Sequence, residues 1–223
     1  MPLIFNKEVD NATRVGLWQI DETPAELKEQ AELNPAEVTR FASFKSEIRK
    51  KQWLSYRILL KRMMFPDLPV LEYDAFGKPH LKNKELHLSI SHSGSYSAII
   101  ISKSGPVGID IERLKDRIFR IIDRFLSPDE ERNICEPDRL EKLYVAWGAK
   151  EALYKIHGRP EVEFQRDIFI DAFDYLCGRK GQCTAGMKTP DGCEKYTVFY
   201  EKIGEYMLVY ALKRPGNDEE RHS

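Results

Sequence analysis

The chain has 223 residues, 42% of them hydrophobic and 32% charged, with a formal net charge of −1. That length allows one large domain or two small lobes. The near-neutral balance excludes a protein that coats nucleic acid through bulk charge, and no apolar run approaches the ~20 residues that cross a bilayer as a helix.

The N-terminal MPLIFNKEVDN lacks the basic start and long apolar core of a secretory signal, so a cytoplasmic protein with no membrane or nucleic-acid partner is expected. Arg14–Glu22, RVGLWQIDE, predicts a strand ending in acids, and the pattern over Arg40–Met64 predicts one long helix. Lys45, Arg49, Arg57 and Lys61 follow i+4 steps on that helix with Trp53 among them, while Phe44, Leu54, Ile58 and Leu59 supply its buried side. Taken alone, such a basic run reads as a solvated face.

Next comes FGKPH, Phe76–His80, a Gly-Lys-Pro corner that holds Lys78 out from a rigid loop. Two strands are predicted around Leu86–Ile90 and Tyr96–Ser102, joined through Ser91-His92-Ser93-Gly94. Turn hydroxyls, backbone N–H groups and an imidazole suit a phosphate. A serine hydrolase fits worse, because adjacent strand residues point to opposite faces and no G-x-S-x-G is present.

The following strand, PVGIDIE, places Asp110 and Glu112 two residues apart, hence on one face. That face either meets solvent or receives a cation, and Gly108 permits close approach. RFLSPDEERNI, Arg124–Ile134, and then Asp138–Gly158 read as helical. Trp147, Glu151 and Lys155 form a stripe with Lys150 at its edge. Glu followed by Lys at i+4 is a common surface ion pair, but a Trp sharing the stripe suits a cleft wall. Strands at Tyr196–Lys202 and Tyr206–Leu212 close the pattern, and a tail from about residue 214 is expected to be disordered. The four cysteines form no C-x-x-C pair and read as reduced thiols.

Strand, helices and hairpin thus occur twice. The expected fold class is α+β, with two similar lobes, 1–104 and 105–223, related by a pseudo-twofold axis. The cleft between them is the expected ligand site.

With these residues in view, the sequence resembles the 4′-phosphopantetheinyl transferases of the long, monomeric, surfactin-synthetase-activating type. The likeness is carried by G-K-P, S-H-S, G-I-D-I-E, F-x-S-x-x-E and W-x-x-K-E-x-x-x-K, between about Arg40 and His157. It implies Mg²⁺-dependent transfer of the phosphopantetheine arm of coenzyme A to a serine of an apo acyl or peptidyl carrier protein, with release of 3′,5′-ADP. It further implies Asp110, Glu112 and Glu151 as metal ligands, and Lys155 beside the leaving phosphate. Glu151 or Glu130 would be the base. Lys45, Arg49, Arg57, Lys78, Ser91, His92 and Lys150 would be coenzyme A contacts. Two positions depart from the family pattern: Ser89, often Asn, and Gly148, usually Ser or Thr. A non-catalytic coenzyme A or carrier-binding module is the alternative. It would be marked by loss of a carboxylate or of Lys155, and none is lost.

Overall fold

Runs such as Ala98-Ile-Ile-Ile101 and Val107-Gly-Ile109 are too continuously apolar for strands with one wet face, and they demand burial on both. A computed structural model describes residues 2–67, 70–82, 85–158, 160–178, 180–190 and 192–213. In chain order the first elements are β1 (Leu3–Glu8), β2 (Thr13–Gln19), α1 (Pro24–Ala31), α2 (Pro35–Ala42), α3 (Glu47–Met64), β3 (Leu71–Tyr73), β4 (Pro79–Leu81), β5 (His87–Ser93) and β6 (Tyr96–Ser102). They are followed by β7 (Val107–Arg113), α4 (Ile122–Phe125), α5 (Pro128–Arg132), α6 (Arg139–His157), α7 (Phe164–Asp167), β8 (Ile168–Ile170), β9 (Gly181–Thr189), β10 (Gly192–Ile203) and β11 (Tyr206–Lys213).

Two antiparallel sheets organise these elements, one in the order β1-β2-β6-β5 and the other β7-β11-β10-β9-β8. Three apolar cores stack across them. Trp18, Ile99 and Ile101 meet α3 through Leu54 and Leu59. Ile100, Ala98 and Leu17 share a core with Ile109, Ile111 and Leu208 of the other sheet. Met207, Val209 and Ala211 meet α6 through Val145, Ala149 and Leu153. The layers therefore run helix, sheet, sheet, helix. Each fully buried Leu or Ile at these contacts contributes ~1.5–3 kcal/mol of transfer free energy.

The mixed helix-and-sheet class expected from the sequence is present. The helix expected over 40–64 is instead two: α2 ends at Ala42, and α3 begins anew with Ser46 capping the Arg49 amide. Sequence periodicity also passed over β1, β8, β9 and α1, although Thr23-Pro-Ala-Glu26 makes a complete capping box at the start of α1. The tail expected from about residue 214 lies outside the described residues.

Where the sheets meet, the outermost strand of each, β5 and β7, run alongside one another. Hydroxyls make the connection. Ser89 Oγ accepts the Ile109 amide at 3.2 Å, and Ser91 Oγ accepts the Ile111 amide at 3.3 Å. On its other side β7 lies against α6 so closely that a Cβ added to Gly108 would sit 2.0 Å from the Ala152 carbonyl oxygen. Gly148 of α6 likewise lies on Val209, whose Cγ2 would be 2.6 Å from an added Cβ. Both positions that depart from the family pattern thus have a local reason. Ser89 holds a backbone amide, and Gly148 lets the helix approach the sheet.

Candidate active site

Since Ile109 and Ile111 point into the core shared by the sheets, strand alternation turns Asp110 and Glu112 toward α6 and the serines of β5. Asp110 is only 5% exposed. Its Oδ1 accepts a hydrogen bond from Ser91 Oγ at 2.8 Å and from Lys155 Nζ at 2.7 Å. The same ammonium donates to the Ile109 carbonyl at 2.9 Å and to Ser91 Oγ at 3.1 Å. Glu112 Oε2 accepts from Ser93 Oγ at 2.9 Å, and Arg117 approaches it to 3.8 Å.

Glu151 faces this pair from α6. Burial, then the charge of Asp110 and more weakly that of Glu112, push its carboxyl up to about 7 against the pull of Lys155. Burial and the neighbouring Asp110 likewise raise Glu112. Three carboxylates therefore crowd one place, opposed by one close ammonium and a more distant guanidinium. Among the described residues, no three His, Cys, Asp or Glu side chains converge to the spacing of a formed metal site. In charge and donor type, however, an all-oxygen acidic set fits a hard divalent cation.

Lys155 also lines a groove of about 330 Å³, whose walls include Phe76, Lys78, Leu88, Ile90 and Tyr154. Lys78 crosses to the end of α6, where its ammonium donates to the Ile156 carbonyl at 2.7 Å. Burial depresses its pKa. Nearby, the Arg49 guanidinium lies 2.7 Å from His92 Nε2 and donates to it when the ring is neutral. The imidazole stacks on Tyr56. Burial and then the charge of Arg49 push His92 down to about 4, which keeps it neutral near pH 7.

Several residues named from the sequence lie elsewhere or face inward. Lys150 is fully buried, and its ammonium donates to Glu130, at 2.9 Å, and to the carbonyls of Phe164 and Ile168. With its protons taken and no exposed surface, Lys150 does not reach out to a coenzyme A phosphate, whereas the Lys155 side chain stays 26% exposed. Glu130, 7% exposed, accepts from Lys150 and from the Ile170 and Ser127 amides. It anchors α5 to α6 and β8 and does not join the Asp110 cluster. Arg57 is 8% exposed, paired with Glu37 at 3.0 Å and laid over the Trp53 ring, so it too is directed inward. Ser91 uses its hydroxyl on Asp110, Lys155 and the Ile111 amide. Trp147 packs on Phe125 and Phe164 in the core under α6 and is not a cleft wall. Lys45 stays exposed before α3. Asp110, Glu112, Glu151 and Lys155 are brought together, with Ser93 as an added partner that sequence reading missed.

The family model for the 4′-phosphopantetheinyl transferase superfamily matches residues 106–208. This region belongs to that superfamily. The matched span holds Asp110, Glu112, Glu130, Glu151 and Lys155, whereas Arg49, Lys78 and His92 precede it. Three curated 4′-phosphopantetheinyl transferases are similar to a larger share of the chain. The 4′-phosphopantetheinyl transferase psf-1 of Bacillus pumilus is 33% identical over 67% of this chain and 63% of its own length. Sfp of Bacillus subtilis is 29% identical over 65% and 63%. AcpT of Escherichia coli is 33% identical over 60% and 65%. The matches span about three fifths of the curated relatives' own length. The resemblance carried by the short motifs is borne out at the level of the superfamily, and these relatives are all named 4′-phosphopantetheinyl transferases.

Proposed function

We propose that this protein transfers the 4′-phosphopantetheine arm of coenzyme A to a serine of an apo acyl or peptidyl carrier protein, releasing 3′,5′-ADP in a Mg²⁺-dependent reaction. One observation carries this reading. Asp110, Glu112 and Glu151 gather around Lys155, which also lines a groove with both a cationic and an apolar wall. A pyrophosphate attached to an extended, partly apolar arm has that combination of needs. Lys78, Arg49 and His92 would meet the nucleotide end. The groove would be the cleft between lobes 1–104 and 105–223 of a cytoplasmic monomer with pseudo-twofold symmetry.

In the reaction, the serine oxygen forms a bond to the β-phosphorus while the bond from that phosphorus to the bridging oxygen breaks. Phosphoryl transfers of this kind depend chiefly on positioning and charge neutralisation. Lys155, anchored at 2.7 Å from Asp110, would hold the developing charge on the departing oxygen. Glu151, which faces Asp110 and Glu112 from α6, would take the serine proton. Asp110, Glu112 and Glu151 would hold Mg²⁺, which when bound supplies charge neutralisation to the pyrophosphate. The basic residues Arg113, at the end of β7, and Lys115, Arg117 and Arg120, just after it, would receive an acidic carrier surface.

The test is transfer of a fluorescent coenzyme A arm to a panel of apo carriers with Mg²⁺. Asp110→Ala and Glu151→Ala are expected to lower turnover by ~10²–10⁴-fold, the range of a lost acid–base or charge-stabilising group, with unchanged circular dichroism. Turnover equal to the wild type in both variants would overturn the assignment. Coenzyme A binding with no transfer to any carrier would favour the binding module instead.

A further inference from the structure

The serines of β5 and the acids of β7 share one spacing. Ser91 and Ser93 are two apart, as are Asp110 and Glu112, and each hydroxyl donates to one carboxylate: Ser91 to Asp110 at 2.8 Å and Ser93 to Glu112 at 2.9 Å. The two strands belong to different sheets, so this pairing joins the acids to the sheet that does not carry them. We propose that Ser93 is a positioning residue for Glu112, the counterpart on the outer acid of what Ser91 does for Asp110. This rests on the reading of Asp110, Glu112 and Glu151 as the cation-binding set.

The two hydroxyls differ in how much else they hold. Ser91 is 7% exposed and also accepts from the Ile111 amide and Lys155, so removing it disturbs the backbone and the ammonium together. Ser93 is less buried and donates to Glu112. Arg117 lies 3.8 Å from Glu112 Oε2, too far for a hydrogen bond that would fix the carboxylate. A carboxylate with one firm partner rotates about its last torsions unless that partner fixes it. Oxygen ligands held by such outer partners bind metal better, and losing the partner typically costs 10–100-fold in affinity. Ser93→Thr keeps the hydroxyl in a strand position that tolerates β-branched side chains.

Calorimetric titration of Mg²⁺ into wild type, Ser93→Ala and Ser93→Thr, each with saturating coenzyme A, tests the proposal. The Mg²⁺ concentration for half-maximal transfer is measured beside it. Ser93→Ala should weaken Mg²⁺ binding and raise the half-maximal concentration by ~10–100-fold. Its melting temperature without Mg²⁺ should stay close to the wild type's, and Ser93→Thr should restore both values. Unchanged Mg²⁺ affinity in Ser93→Ala would overturn the positioning role. So would an equal loss in Ser93→Thr. If the wild type itself neither binds Mg²⁺ nor transfers the arm, the proposed function fails first, and the role of Ser93 falls with it.

Discussion

Lys150 and Lys155 stand five residues apart on α6, yet the chain uses them in opposite ways. At 3.6 residues per turn they project from different faces. Lys150 enters the interior, where Glu130 and two carbonyls take its protons. Lys155 reaches Asp110 and the groove. His92 shows a third use of burial. With its imidazole pushed down to about 4, the folded protein refuses a proton that the unfolded chain accepts near the ordinary value of 6.5. Its contribution to stability is therefore complete above pH 6.5 and is lost as pH falls toward 4. Urea unfolding between pH 7 and 5 should show wild type losing stability more steeply than His92→Gln. Parallel slopes would refute the neutral, Arg49-bound imidazole.

At the scale of elements, the site depends on how closely β7 and α6 approach. An alanine at Gly108 would place its Cβ 2.0 Å from the Ala152 carbonyl oxygen, a backbone atom that cannot rotate aside. Gly108→Ala is expected to destabilise the fold by ~1–3 kcal/mol, the usual cost of overpacking, and to reduce any transfer activity by more than the lost folded fraction explains. Denaturant midpoints and activity per folded molecule check both parts. This contact also shows what could be read from the sequence. Period-two spacing exposed the Asp110–Glu112 face, and period-3.6 spacing exposed Glu151 and Lys155, because those regularities are local. The partners of Lys150 and Arg57 come from distant parts of the chain: the Glu130 carboxylate and the Phe164 and Ile168 carbonyls for the first, and the Glu37 carboxylate for the second. No periodicity reports them. One signal was nonetheless available. Ser127-Pro-Asp-Glu130 is a complete capping box, which ties Glu130 to the start of α5. The spacing of Ser91 and Ser93 carried similar information, but it acquires meaning only once β5 is known to lie beside β7.

Across the whole molecule, the sheets are joined by more than the core centred on Ile100, Ile109 and Leu208. Lys7 of β1 pairs with Glu201 of β10 at 2.8 Å, the Ser95 amide donates to the Tyr206 hydroxyl, and Lys78 reaches the end of α6. A molecule stitched at this many points should lose both sheets together. Trp18 and Trp53 report on the β1–β6 side and Trp147 on α6. Tryptophan fluorescence and far-ultraviolet circular dichroism should therefore trace one coincident thermal transition. Two separated transitions would show that the sheets unfold independently.

The hydroxyl seam has one more consequence. The outward amides of Ile109 and Ile111 and the Ile109 carbonyl belong to the last strand of a sheet, the kind of row that recruits a strand from another chain and seeds aggregation. Ser89, Ser91 and Lys155 occupy all three groups. The side chains that furnish the acidic pocket thus also keep this border of the sheet from templating fibril-like contacts between molecules.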